Sequence, residues 1–192
     1  MNLKYKNICI CVGHYKAKQG AVSKELNISE WSINQLLAYA LYKECIERGL
    51  FAQVIYNLNL TRKLKYINTR HFDIAFDLHC NAFHGLTIGH EVLYWHKSVL
   101  GKLLAESISY NIEVNHDRGS KPVKSEAGSY FCKNIKPVAV VLESCFIDNP
   151  TDFSIVMSDI NLLAKQIMNG IKSFEFAARF LSSRVNYQSN VS

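Results

Sequence analysis

Hydrophobic and polar positions along the chain keep two alternating rhythms. Residues 8–12 form a short unbroken apolar run closing in Gly13-His14, the pattern of a strand buried on both faces of a parallel sheet. The polar stretch 15–29 predicts a loop. Ser29 then stands where an N-cap belongs, and Glu30 falls in the first helical turn, where a carboxylate suits the helix dipole. Apolar residues recur at helical spacing from Ile33 through Leu36, Leu37, Ala40, Leu41, Cys45 and Ile46, and Gly49 ends the helix. The same patterns predict strands over 51–56, 74–79, 88–95 and 138–142, and a short strand over 130–132. They predict helices over 100–112, 152–157 and 160–180, a basic helix or turn over 60–70, and a polar loop over 113–129.

Strands alternating with helices imply an α/β fold: a single domain with a mostly parallel twisted sheet of about six strands and helices on both faces. The expected domain is 1–181, followed by a polar tail over 182–192. With 48% hydrophobic and 20% charged residues, a core can form without staples. The net charge of +6 favours polyanionic surroundings, but the basic residues are spread along the chain and read as a solvated surface, so no nucleic-acid partner is expected. No apolar run is long enough to span a membrane, and 8–12 is too short for a signal peptide. Synthesis in the cytoplasm without a signal is therefore expected. The cysteines are irregularly spaced with no C-x-x-C pair, and read as free buried thiols.

In folds of this class, chemistry collects at the carboxyl ends of strands. Three predicted strands end in His14, His79 and Glu143, and Glu30 opens the helix after the first strand. Two imidazoles and a carboxylate are the donor set of a catalytic zinc site, whose fourth position holds water. Zinc brings the pKa of that water to roughly 7. A second carboxylate is then needed to take its proton and pass it to a leaving amine, and Glu143 is the candidate. Zinc suits such a reaction better than iron or copper, since amide hydrolysis needs no redox step. Each residue alone has a structural reading: a hydrogen-bonded histidine, or a charge at a helix N-terminus. Glu143 is harder to read that way, because a carboxylate closing a run of valines needs a partner.

These residues sit in an ordered set of motifs that resembles the zinc-dependent N-acetylmuramoyl-L-alanine amidases of type 3, found in bacterial wall enzymes and phage endolysins. The set runs from Gly13-His14 through Gly20-Ala21-Val22 and Glu30 with Asn34, then Arg62 and Asn68, to Asp77-Leu78-His79-Cys80-Asn81-Ala82. It continues with Gly89-His90-Glu91-Val92, Arg118-Gly119-Ser120-Lys121 and Leu142-Glu143-Ser144-Cys145-Phe146-Ile147-Asp148-Asn149, over about residues 8–172. The resemblance implies that His14, Glu30 and His79 bind Zn2+ and that Glu143 is catalytic. It implies a substrate, peptidoglycan, cut between N-acetylmuramic acid and L-alanine of the stem peptide. Tyr15 and Cys145 stand where the family commonly has glycine, and both flank the site. Glu25 is an alternative carboxylate, but Asn34 and the helix start favour Glu30.

Asn81, His116 and Arg118 are candidate substrate-binding residues, Arg118 because guanidinium pairs well with carboxylates. Lys121 reads more simply as surface. His84, His90 and His96 share no helix face and imply no second metal site. Tyr94, Trp95 and Tyr130 read as packing. Two other functions fit the composition: a zinc peptidase or carboxypeptidase with the same donors, and a non-catalytic wall-binding or nucleic-acid-binding module. Without a signal peptide or wall-binding repeats, the chain looks like a phage or prophage endolysin that reaches the wall after release.

Overall fold

The computed structural model describes residues 4–23, 25–124 and 126–189. In chain order the elements are β1 (Asn7–Val12), β2 (Val22–Ser23), β3 (Ile28–Ser29), α1 (Glu30–Glu47), β4 (Phe51–Ile55), α2 (Leu60–Asn68) and β5 (Ile74–Asn81). They continue with β6 (His90–Trp95), α3 (Val99–Asn111), β7 (Asp117–Val123), α4 (Glu126–Asn134), β8 (Val138–Phe146), α5 (Pro150–Ser158) and α6 (Ile160–Ser189).

Six strands form one sheet in the order β4-β1-β5-β8-β6-β7. Neighbours are parallel except β6 and β8, which run antiparallel. Central strands β1, β5 and β8 are apolar on both faces, so their sequences read as continuous hydrophobic runs. The strand period of two then sorts their side chains. Ile8, Ile10, Phe76, Leu78, Val140 and Leu142 point into the larger core, with α1, α3 and α6. Cys9, Cys11, Ala75, Ala139 and Val141 point into a smaller core under α2 and α4. Those two helices have nine residues each and cover only part of their face. Asp77, His79 and Glu143 continue this odd-numbered row and line a cleft on the half-covered side.

Helix α1 starts as its sequence predicts: the Ser29 side chain accepts from the Ser32 backbone N–H. It ends in a paired cap, with Gly49 N–H donating to the Ile46 carbonyl and Leu50 N–H to the Cys45 carbonyl. That geometry places Gly49 at φ +71°, where a Cβ would be strained. The buried stripe is Ile33, Leu37, Ala38, Leu41 and Cys45; Leu36 and Ile46, expected inside, are exposed.

Several boundaries differ from expectation. Residues 130–132 belong to α4, not a strand, and the segment read as a loop over 113–129 contains β7. β7 is an edge strand bonded only to β6, polar along its length and carrying Pro122, so no apolar alternation marks it in the sequence. β5 and β8 run past His79 and Glu143, which therefore lie within strands rather than at their ends. Helix α6 continues to Ser189, beyond Phe180 and into the segment expected as a polar tail; residues 190–192 lie outside the described residues. All six cysteines are free and buried.

Candidate metal centre

His14 leaves the end of β1 in a left-handed conformation, φ 63°. The Gly13 N–H donates to the Leu78 carbonyl at 2.8 Å, which ties this turn to β5. His79 projects from β5 on the same face as Asp77. Glu30, the first residue of α1, is 3% exposed. Its Oε2 lies 3.1 Å from His14 Nε2 and its Oε1 2.8 Å from His79 Nδ1. Backbone N–H groups hold the same carboxylate: Ala21 donates to Oε2 at 3.0 Å and Cys80 to Oε1 at 3.2 Å. The carboxylate is thus fixed between the two imidazoles by four polar contacts.

The donor atoms of His14, Glu30 and His79 lie within 4.8 Å of one another, a spread one ion can bridge. Two nitrogens and one carboxylate oxygen, from a buried acid and two half-buried histidines, match the preferences of zinc. Among the described residues no other such group occurs. Glu143 pairs with His79 across β5 and β8. Its Oε2 is buried without a hydrogen-bond partner, an arrangement that costs free energy unless a ligand or ion answers it. The fit of donor set and orphaned oxygen supports a bound cation.

Electrostatics separate the two glutamates. Burial alone would raise the Glu30 carboxyl, but hydrogen bonds from His14 and His79 outweigh it and bring the pKa down to about 2. Burial likewise acts to lower His79, and the Asp77 charge, helped by Glu30, overrides it to push the imidazole up to about 10. For Glu143 burial prevails: its pKa rises to about 7, with His79 opposing and the charges of Glu30, Glu91 and Asp77 adding to the rise. One carboxylate is held ionised and the other poised near neutrality.

The cleft has a volume of about 700 Å³. Its floor holds His14, His79, Asp77 and Glu143, and Tyr15, Lys18, Asn59, Thr61, Tyr130 and Phe131 are among its walls. Tyr130 is thus a cleft residue rather than the packing residue expected. Asn81, His116 and Arg118 are not among the lining residues. Asn81 Oδ1 accepts from the Ala82 N–H, His116 is exposed with its carbonyl bonded to the His90 N–H, and Arg118 Nε donates to Glu91 Oε1 at 2.6 Å. Lys121 donates to the same oxygen, and Glu91 sits opposite Glu143 on β6. Glu25 is exposed in the turn before β3. His90 is buried beside Asn115 and Asp117, whereas His84 and His96 are exposed, so these three do not meet.

Gly20 adopts φ +78° directly over the donor set, and a Cβ there would lie 2.3 Å from Glu30 Oε2 and 2.5 Å from His14 Cδ2. Gly20→Ala is therefore expected to cost roughly 1–2 kcal/mol in backbone strain and to push both donors apart. Thermal unfolding and zinc uptake would measure the two effects. Unchanged zinc uptake in this variant would mean that the 15–29 loop does not set the donor positions.

The model for the N-acetylmuramoyl-L-alanine amidase family matches residues 8–173. Among solved structures, the catalytic domain of the CD27L endolysin targeting Clostridia difficile is 29% identical, with a TM-score of 0.78 over 87% of this chain and 97% of that one. An N-acetylmuramoyl-L-alanine amidase from Clostridium difficile 630 is 23% identical, with a TM-score of 0.78 over 88% and 96% of the two chains. Ami1 from Mycobacterium smegmatis shares the fold at 14% identity, with a TM-score of 0.78 over 92% and 100%. No curated protein sequence matches the chain.

Proposed function

The chain belongs to the N-acetylmuramoyl-L-alanine amidase family, and from that premise we propose that it is a zinc-dependent peptidoglycan hydrolase serving as a phage or prophage endolysin. In this reading it cuts the amide between the lactyl group of N-acetylmuramic acid and L-alanine of the stem peptide. The observation that carries the reading is the meeting of His14, Glu30 and His79 donor atoms within 4.8 Å in one cleft with a buried, unpartnered Glu143 oxygen.

His14, Glu30 and His79 would hold the zinc. When bound, zinc supplies Lewis acidity, which acidifies a water and polarises the scissile carbonyl. Glu143 does the proton work. Its carboxylate takes the proton of the attacking water on Oε2 and delivers it to the amide nitrogen as the bond to the lactyl carbon breaks. A pKa near 7 suits a group that must act as base and then as acid at neutral pH. Leu93, Phe131 and Val141 give this part of the cleft apolar walls, which strengthens the electrostatics inside it. Glu30, ionised throughout, takes no part in proton transfer. No helix among the described residues is long and apolar enough to cross a membrane.

Digestion of purified peptidoglycan tests the proposal. Mass analysis is expected to show stem peptides with free N-terminal L-alanine and glycan strands with intact lactyl groups, lost on chelation and restored by zinc. New termini within peptides still joined to glycan would instead identify a peptidase, and products indifferent to chelator would remove the metal. For the endolysin role, cells expressing the chain should lyse only once the membrane is permeabilised; lysis without permeabilisation would count against it.

A further inference from the structure

The contacts of His79 do not stop at Glu30. Its second ring nitrogen, Nε2, lies 3.3 Å from Asp77 Oδ2. The other oxygen of Asp77, Oδ1, accepts from Lys63 Nζ at 2.8 Å. Lys63 comes from α2 and Asp77 from β5, and both are nearly excluded from water, at 3% and 4% exposure. Taking two ions out of water is costly, and apolar residues of similar size often serve stability as well or better. A buried pair at the floor of a cleft, with one member against His79, therefore calls for a purpose other than stability. The pair leads into the donor set: Lys63 to Asp77, Asp77 to His79, His79 to Glu30, Glu30 to His14.

We propose that Asp77 and Lys63 are positioning residues for His79, Asp77 accepting the proton on Nε2 so that Nδ1, once it gives up the proton it shares with Glu30, presents its lone pair to the ion, and Lys63 holding the Asp77 carboxylate in that orientation. This rests on the reading of His79 as a zinc ligand. An imidazole binds a metal through one nitrogen only while the other carries the proton, so the group that accepts that proton chooses the tautomer. Asp77 is the carboxylate against Nε2, and Glu30 the one against Nδ1. Lys63 matters because an ionised Asp77 oxygen without it would be buried and unpaired. It also allows a sharp substitution. Asparagine has one acceptor oxygen, and Lys63, which only donates, claims it. The amide NH2 of Asp77→Asn then faces Nε2 and donates to it, which moves the imidazole proton to Nδ1, the nitrogen needed for the metal.

The experiment measures zinc affinity by competition with a chromophoric chelator, together with the visible absorption of the Co(II)-substituted protein. Asp77→Asn is expected to bind zinc roughly 10–100-fold more weakly and to change the Co(II) bands. Adding Lys63→Met releases the Asn oxygen to turn toward Nε2, and the Asp77→Asn/Lys63→Met protein should regain most of the lost affinity. Should Asp77→Asn not fold, Asp77→Leu/Lys63→Met carries the test, because it leaves no unpaired charge and no acceptor for Nε2; it too is expected to lose about 10–100-fold. A folded Asp77→Asn or Asp77→Leu/Lys63→Met protein with the zinc affinity of the unaltered chain would overturn the proposal and make the pair structural only. Failure of the unaltered chain to take up zinc would overturn the functional reading and this inference together.

Discussion

Glu143→Gln is expected to lower peptidoglycan turnover by about 10²–10⁴-fold, the usual contribution of a positioned general acid/base, while leaving zinc affinity within a few-fold. Glutamine keeps the size and one oxygen of the side chain but cannot carry a proton from water to amine. The same substitution should make the metal-free protein more stable at pH 8. Burial raises the Glu143 pKa from its ordinary 4.5 to about 7, so the fold favours the protonated form. Below pH 4.5 folded and unfolded chains both carry the proton, and the carboxyl costs nothing. Between pH 4.5 and 7 the unfolded chain ionises while the fold resists, and stability falls; above 7 the full cost stays. A rise of that size corresponds to no more than roughly 3 kcal/mol, so a gain of about 1–3 kcal/mol on substitution is expected at pH 8 and none at pH 4. Thermal unfolding at the two pH values, beside release of stem peptides, would measure both. A variant that loses activity without gaining stability at pH 8 would deny that burial tunes this carboxyl. One that keeps activity would remove Glu143 from the chemistry.

That trade between stability and function was already visible in the sequence, because a carboxylate inside a run of valines contradicts its surroundings. The larger signals were of this kind. Parallel strands announce themselves as apolar runs, and the helix start at Ser29-Glu30 follows from capping chemistry, so β1, α1, β5 and β8 could be placed without coordinates. β7 could not, since an edge strand buries little and needs no apolar alternation. Nor could Tyr130 be placed, because α4 was hidden by the polar stretch before it. Lys63 and Asp77 are a different case. Lys63 shares the buried stripe of α2 with Leu64 and Ile67, and Asp77 interrupts the apolar run of β5. Each breaks its element's pattern with opposite charge, and a charge forced inside implies a partner. The pairing was legible in principle. Its link to His79 was not, since that depends on which face of the sheet α2 covers. The sequence likewise had no means of showing that Arg118 is held by Glu91 rather than turned toward the cleft.

Glu30→Gln should reduce zinc affinity by more than the roughly 10–100-fold that partners of a ligand are worth, and activity should fall with it. Both Glu30 oxygens are engaged, each by an imidazole nitrogen and a backbone N–H, and glutamine can offer an acceptor to only one side. Its NH2 group would face the Ala21 or the Cys80 N–H, donor against donor, so the histidines would lose their common anchor as well as the charge. The pH dependence of zinc uptake by the unaltered protein tests the same electrostatics from the other side. In the metal-free fold Glu30 is ionised down to about pH 2 and releases no proton when the ion enters. His79, pushed up to about 10, must give one up. Zinc affinity should therefore rise about tenfold per pH unit through neutrality for this one proton. Calorimetry in buffers of different ionisation enthalpy counts the protons directly. Release that vanished at pH 8 would show that Asp77 and Glu30 do not hold the His79 proton as their distances require. In Glu30→Gln one of the three carboxylates that raise His79, the others being Asp77 and Glu143, is gone, so whatever zinc this variant still takes up should displace fewer protons at the same pH.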